Sequence, residues 1–174
     1  MSSPPSAGAS ARAEAPAHRP WTAAVVVFLV VLVYATVAAL QILVWNPLAA
    51  VPGRELAQIR SSMAAADEDL HIAPVVGVLG FGVVLTAVLL IFMLRGRAAS
   101  FDVGLLGLGL LALGAVAYFW ASFNAGMSLA DAFGISGRDY APWGGVLTRI
   151  SAAALVVLVA ASAWRGLRAG VRRR

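Results

Sequence analysis

Residues 21–45 read WTAAVVVFLVVLVYATVAALQILVW, and nothing between the two tryptophans is charged. At 1.5 Å per residue, about 25 residues make a helix of roughly 37 Å. That exceeds the roughly 30 Å of a bilayer's hydrocarbon core, so the stretch is long enough to cross with some tilt. In hydrocarbon only a helix or a closed barrel satisfies its own backbone, and an uninterrupted apolar run of this length excludes a strand. The stretch therefore predicts an integral membrane protein. Cleavage as a signal peptide would need a stronger basic n-region and an apolar run of only about 7–15 residues. Val37, Ala38 and Ala39 could form a cleavage site, but the length favours an uncleaved anchor.

Composition agrees. The hydrophobic fraction is 61% and the mean hydropathy +0.87, against about 45–50% apolar usage in soluble domains. With 174 residues and several long apolar runs, there is room for one bundle and no separate soluble domain. All 13 basic side chains are arginines, and with abundant alanine this reads as GC-rich coding. A pI near 11.0 would suggest nucleic acid in a soluble protein. Here the arginines flank apolar spans and act as topology signals, so no nucleic-acid partner is expected. Cysteine is absent, which removes disulfides, thiolate metal sites and thiol redox chemistry.

Outward from the first span, residues 1–20 are rich in Pro, Ala and Ser and read as a disordered tail. Past Trp45, Pro47 and Pro52 are read as breaks. Leu56, Ile59 and Met63 then recur at helical spacing and predict a short helix lying on the membrane surface. Asp67, Glu68 and Asp69 suit the start of a following helix, where carboxylates meet the positive end of its dipole. A second span is expected over 72–94, with Gly77, Gly80 and Gly82 permitting close helix approach. After Arg95 and Arg97, a third span is expected over 103–123. It carries Gly104, Gly107, Gly114 and Tyr118 on one stripe, a helix-packing face. A polar excursion over 124–141, with Ser128 and Asp131 at capping-box spacing, leads to a fourth span over 143–164. Residues 165–174 form a basic tail in which Arg165, Arg168, Arg172, Arg173 and Arg174 face an anionic lipid surface.

The fold class expected is thus an all-α four-helix membrane bundle over residues 21–164, with short surface helices in its two longer loops. Two arginines lie in the N-terminal tail, two in the middle link and five in the C-terminal tail, against Arg54, Arg60 and Arg138 in the longer loops. The positive-inside rule then places both termini in the cytoplasm of a multi-pass cell-membrane protein.

Arg149 is the most informative single residue. It lies about six residues, roughly 9 Å, into the fourth span, where a charge must snorkel or find a partner. Gln41 and Asn124 are expected at the same level, with Asp131 and Asp139 in the adjoining loop. The five outline a candidate polar cluster at the outer leaflet, weighed against an arginine that simply reaches outward to water. His71 follows Asp67 at a four-residue spacing, half a metal site at best, and the reading is a solvated helix start with no metal or cofactor. Tyr34, near mid-membrane, needs a partner for its hydroxyl.

Absences sharpen the functional expectation. Small multidrug exporters need a carboxylate in their first helix, and thiol oxidoreductases of the four-helix type need cysteines. Lipoprotein signal peptidases also have four spans, and Phe123-Asn124 followed by Ala130-Asp131 resembles their Phe-Asn…Ala-Asp segment. The spacing differs and their Gly-Asn…Asp-Arg motif is missing, so no catalytic role is carried over. The sequence points to a non-enzymatic accessory or scaffolding protein whose partners are the bilayer and either another membrane protein or further copies of itself. An oligomeric transporter or channel subunit is the alternative, and an intramembrane enzyme comes third.

Overall fold

Where an apolar run leaves its backbone no partner but itself, the chain becomes helix. The computed structural model describes residues 20–171, all-helical apart from its connections. The N-terminal tail before Pro20 and Arg172, Arg173 and Arg174 lie outside the described residues. Four helices are long and apolar enough to cross a membrane.

The first is one rod of 31 residues, Pro20–Ala50, built from α1 (Pro20–Leu40), a π-helical turn (Gln41–Trp45) and α2 (Asn46–Ala50). The sequence expectation stopped it at Trp45 because of Pro47. Proline lacks an N–H and its ring strikes the carbonyl four residues back. The π turn relieves both problems, since the Asn46 N–H reaches five residues back to the Gln41 carbonyl and the widened turn admits the ring. The rod ends at Val51 (φ −126°, ψ 74°), whose neighbour Pro52 disfavours helical geometry before it.

α3 (Leu56–Ala65) opens with a capping box in which the Glu55 N–H donates to Gln58 Oε1 at 3.0 Å. Ile59 and Met63 are fully buried, as their spacing implied. Their cover is Leu70, Leu129, Phe133 and Ile135 rather than a membrane surface. α4 (Ile72–Arg95) matches the second span to within a residue. The acidic residues Asp67 to Asp69 do not start it. Asp67 (φ 57°) and His71 (φ 48°) turn the chain in left-handed conformations, leaving the acids in the connection and none in the first helical turn.

α5 (Ser100–Phe133) is the largest departure, at 34 residues against the expected 103–123. Asn124, Ser128 and Asp131 looked like a loop, yet no proline interrupts them and the helix runs on to Gly134 (φ 65°), where the Gly134 and Ile135 N–H groups both bond the Ala130 carbonyl. Ser128 and Asp131 therefore form no helix start, and residues 134–142 hold no separate helix. At about 50 Å the helix outruns a hydrocarbon core of about 30 Å. Its final turns form the ledge on which α3 packs. α6 (Trp143–Val171) likewise continues past the expected end at Trp164, so Arg165 and Arg168 stand on helix.

α5 is the central column, touching α1, α4, α6 and α3, while α1 sits between α4 and α5. One end of the bundle, the loop end, gathers α3 and residues 134–142. The other, the link end, has only the short connection 96–99. Two glycines of the predicted stripe make the α1–α5 contact. A Cβ on Gly107 would lie 2.6 Å from Val27 Cγ2, and one on Gly114 would lie 2.8 Å from Tyr34 Cζ. Gly104 has no neighbour within 4 Å, and neither do Gly77, Gly80 and Gly82 of α4. Those four positions bring no helices together within the chain.

Candidate polar site at the loop end

The wide turn of the first rod sets the site. It carries Gln41, fully buried, and Asn46, nearly so, toward residues 139–141 of the last connection. Gln41 Nε2 donates to the Ala141 carbonyl at 3.1 Å. A carbonyl can only accept, so this bond fixes which way the amide lies and leaves Oε1 buried without a donor. Asn46 Oδ1 accepts from the Tyr140 N–H at 2.6 Å and, more weakly, from the Ala141 N–H at 3.4 Å. These two amides stitch the connection to the bundle, and Trp45 stacks on Trp143 at 5.5 Å beside them.

Tyr118 of α5 points its hydroxyl at the Asp139 carboxylate, 2.9 Å from each oxygen. Gly144 makes this possible, because a Cβ there would strike Asp139 Oδ2 and come within 2.5 Å of the Tyr118 hydroxyl oxygen. Asp139 also precedes the first turn of α6, where the helix dipole favours an anion. The adjacent cation is occupied elsewhere. Arg138 lies over the Tyr140 ring at 4.9 Å, and the Tyr140 phenol is held below its usual pKa by its hydrogen bond with Ser136 and then by that guanidinium. Beside Tyr118 and Asp139 opens a cleft of about 480 Å³, bounded by Phe119, Phe123, Met127, Asn46 and Thr148.

Of the five residues expected to cluster, Gln41 and Asp139 come to the same end, Gln41 bonded to the Ala141 carbonyl and Asp139 to the Tyr118 hydroxyl. Asn124 and Asp131 lie exposed on α5, and neither takes part. Arg149 is exposed, and among the described residues it forms no ion pair with Asp131 or Asp139. Its Nη2 lies 3.6 Å from where a Gly145 Cβ would sit, one turn nearer the loop end. The guanidinium thus reaches back along its own helix toward water. At the link end Arg165 is ion-paired with Asp102 and lies 5.4 Å from the Phe101 ring, while Arg168 covers Trp164 at 4.6 Å.

Sequence reasoning passed over Asn46, Gly144 and Ser151, and read Ser128 only as a helix cap. Ser151 is the partner that Tyr34 required, with their oxygens 3.0 Å apart on facing helices, and a buried hydroxyl near mid-span was the available signal. Ser128 joins His71 Nε2 at 3.1 Å, while His71 Nδ1 lies 3.0 Å from Asp69 Oδ1. The order acid, imidazole, hydroxyl is that of an activated nucleophile. Ser128, however, is 6% exposed inside a continuous helix. The surrounding amides are spent in the helix rather than free to hold an oxyanion. The trio fastens the 66–71 connection to α5. Asp67, expected beside His71, is displaced by the turn and Asp69 takes its place. Among the described residues no three His, Cys, Asp or Glu converge as a metal site.

No known protein family, curated protein or solved structure matches this chain.

Proposed function

We propose that this chain is a multi-pass cell-membrane protein with both termini cytoplasmic, acting without catalysis as an accessory or scaffolding component of a membrane assembly. One observation carries the reading. Apart from Gln41 Oε1, the polar side chains entering the bundle are spent on one another and on the 139–141 backbone, as in Tyr34 with Ser151, Asn46 with Tyr140 and Tyr118 with Asp139. Polar groups so used specify a rigid structure and, among the described residues, leave no free acid–base pair in the spans. The outward face of α4, by contrast, is open, with Phe81 68% and Val84 62% exposed and its glycines uncovered. A bare face with small residues suits a neighbouring helix as well as lipid.

The topology is tested by reporters fused after Arg174, which should be active only in the cytoplasm. Activity on the other side rejects the orientation. The assembly role is tested by a photo-crosslinking side chain at Phe81 or Val84 in the native membrane. Capture of one stoichiometric membrane protein supports it. A ladder of self-linked copies supports the second reading, an oligomeric transporter or channel subunit, which the loop-end cleft would serve. Lipid adducts alone reject both.

A further inference from the structure

The loop-end cleft sets a solvent-exposed carboxylate beside an apolar wall. A carboxylate has about four lone-pair sites, and Asp139 receives a single proton, from Tyr118. Arg138 is stacked on Tyr140 and Arg149 turns along its own helix, so neither neutralises it. No ion pair is formed by Asp139 among the described residues. The carboxylate instead borders a cleft of about 480 Å³ whose other walls include Phe119, Phe123 and Met127. The two phenylalanine rings stand 5.7 Å apart at 47°. Rings carry negative faces that attract cations, and a site of this kind, apolar with one placed charge, orients a small amphiphile. Nothing in the lining would bind a phosphate, because it contains no lysine or arginine.

We infer that the cleft binds an organic ammonium ion bearing an aryl or alkyl group, with the nitrogen on Asp139 and Tyr118 and the apolar part against Phe119, Phe123 and Met127. Gly144 belongs to the site because only a missing side chain lets the carboxylate lie there. The inference goes beyond the accessory role and stands whether or not that role holds.

The test is calorimetric titration of the purified full chain, in uncharged detergent, with 4-phenylbutylammonium and its uncharged counterpart 4-phenylbutanol. The amine should bind at least tenfold more tightly. Asp139→Asn should abolish that preference, and Ala115→Leu, which narrows the cleft without touching the carboxylate, should abolish binding of both probes. Equal affinity for amine and alcohol overturns the proposal, as does a preference that survives Asp139→Asn. If Asp139→Asn does not fold, Ala115→Leu decides: retained amine affinity overturns the site, and lost affinity with an unchanged melting profile supports it.

Discussion

Alanine at Gly107 or Gly114 should destabilise the bundle, whereas alanine at Gly109 should not. The Gly107 Cβ would stand 2.6 Å from Val27 Cγ2 and 2.9 Å from its Cγ1. Valine is stiff about χ1, so it cannot swing both methyls away and α1 must move. The Gly114 Cβ would meet the Tyr34 ring at 2.8 Å, and that ring is held by the hydrogen bond to Ser151. Forcing extra volume into such contacts costs about 1–3 kcal/mol. Replacing a helical glycine returns about 0.5–1 kcal/mol of backbone entropy, so the net loss is about 0–2.5 kcal/mol. Gly109 faces only Leu158 Cδ2, at an ordinary 3.9 Å, and keeps the entropic gain. Thermal unfolding in detergent, followed by circular dichroism, should separate them by several degrees, since 1 kcal/mol moves a midpoint by about 2–4 °C in a chain of about 150–250 residues. Alanine at Gly109 melting as low as the other two, or the other two melting above the parent, would refute the packing argument.

Tyr34→Phe and Ser151→Ala should each cost about 0.6 kcal/mol, the mean for polar pairs between membrane helices, and the double variant should cost less than their sum. Strict additivity would mean that the 3.0 Å contact contributes nothing. Arg149→Gln and Arg149→Leu should leave the melting midpoint within about 0.5 kcal/mol of the parent, as for a surface change. A loss beyond about 2 kcal/mol would require a buried partner for the guanidinium. Replacing Arg172, Arg173 and Arg174 with Gln should weaken binding of a peptide of the C-terminal tail to anionic vesicles by up to about 1 kcal/mol per charge at low salt. Neutral vesicles should show no change, and binding insensitive to salt would point to a protein partner instead.

The spans were legible because lipid removes alternatives. Once Trp21 to Trp45 must pair its own backbone, helix follows, and the same logic found α4 to within a residue. The overruns of α5 and α6 were hidden, because length arguments describe the part inside hydrocarbon, while helix in water is ended by glycine or proline, and the first such stop after Phe123 that ends α5 is Gly134. Ile59 and Met63 announced a buried face but could not name its cover, since periodicity carries no information about the other side. Gln41 and Asp139 were picked out by polarity alone. Asn46 was lost because it precedes a proline read as a break, and Gly144 because its importance lies in the oxygen beside it rather than in anything the residue carries.

The π turn lets the first rod absorb a single surplus residue without losing the loop end. On an ordinary helix Gln41 and Asn46, five apart, would diverge by about 140°, and one amide would lose the last connection. The wide turn brings both to the same side, where each bonds the 140–141 backbone. Removing any one residue between Ile42 and Trp45 would restore regular winding and improve the local helix. It would also leave Gln41 and Asn46 four apart and about 40° from one another, still on one side of the rod. The shorter chain would keep both amides on the side of the last connection, so a deletion inside the turn should cost the cleft less than one elsewhere in the first rod, where nothing absorbs the change of about 100° in phase.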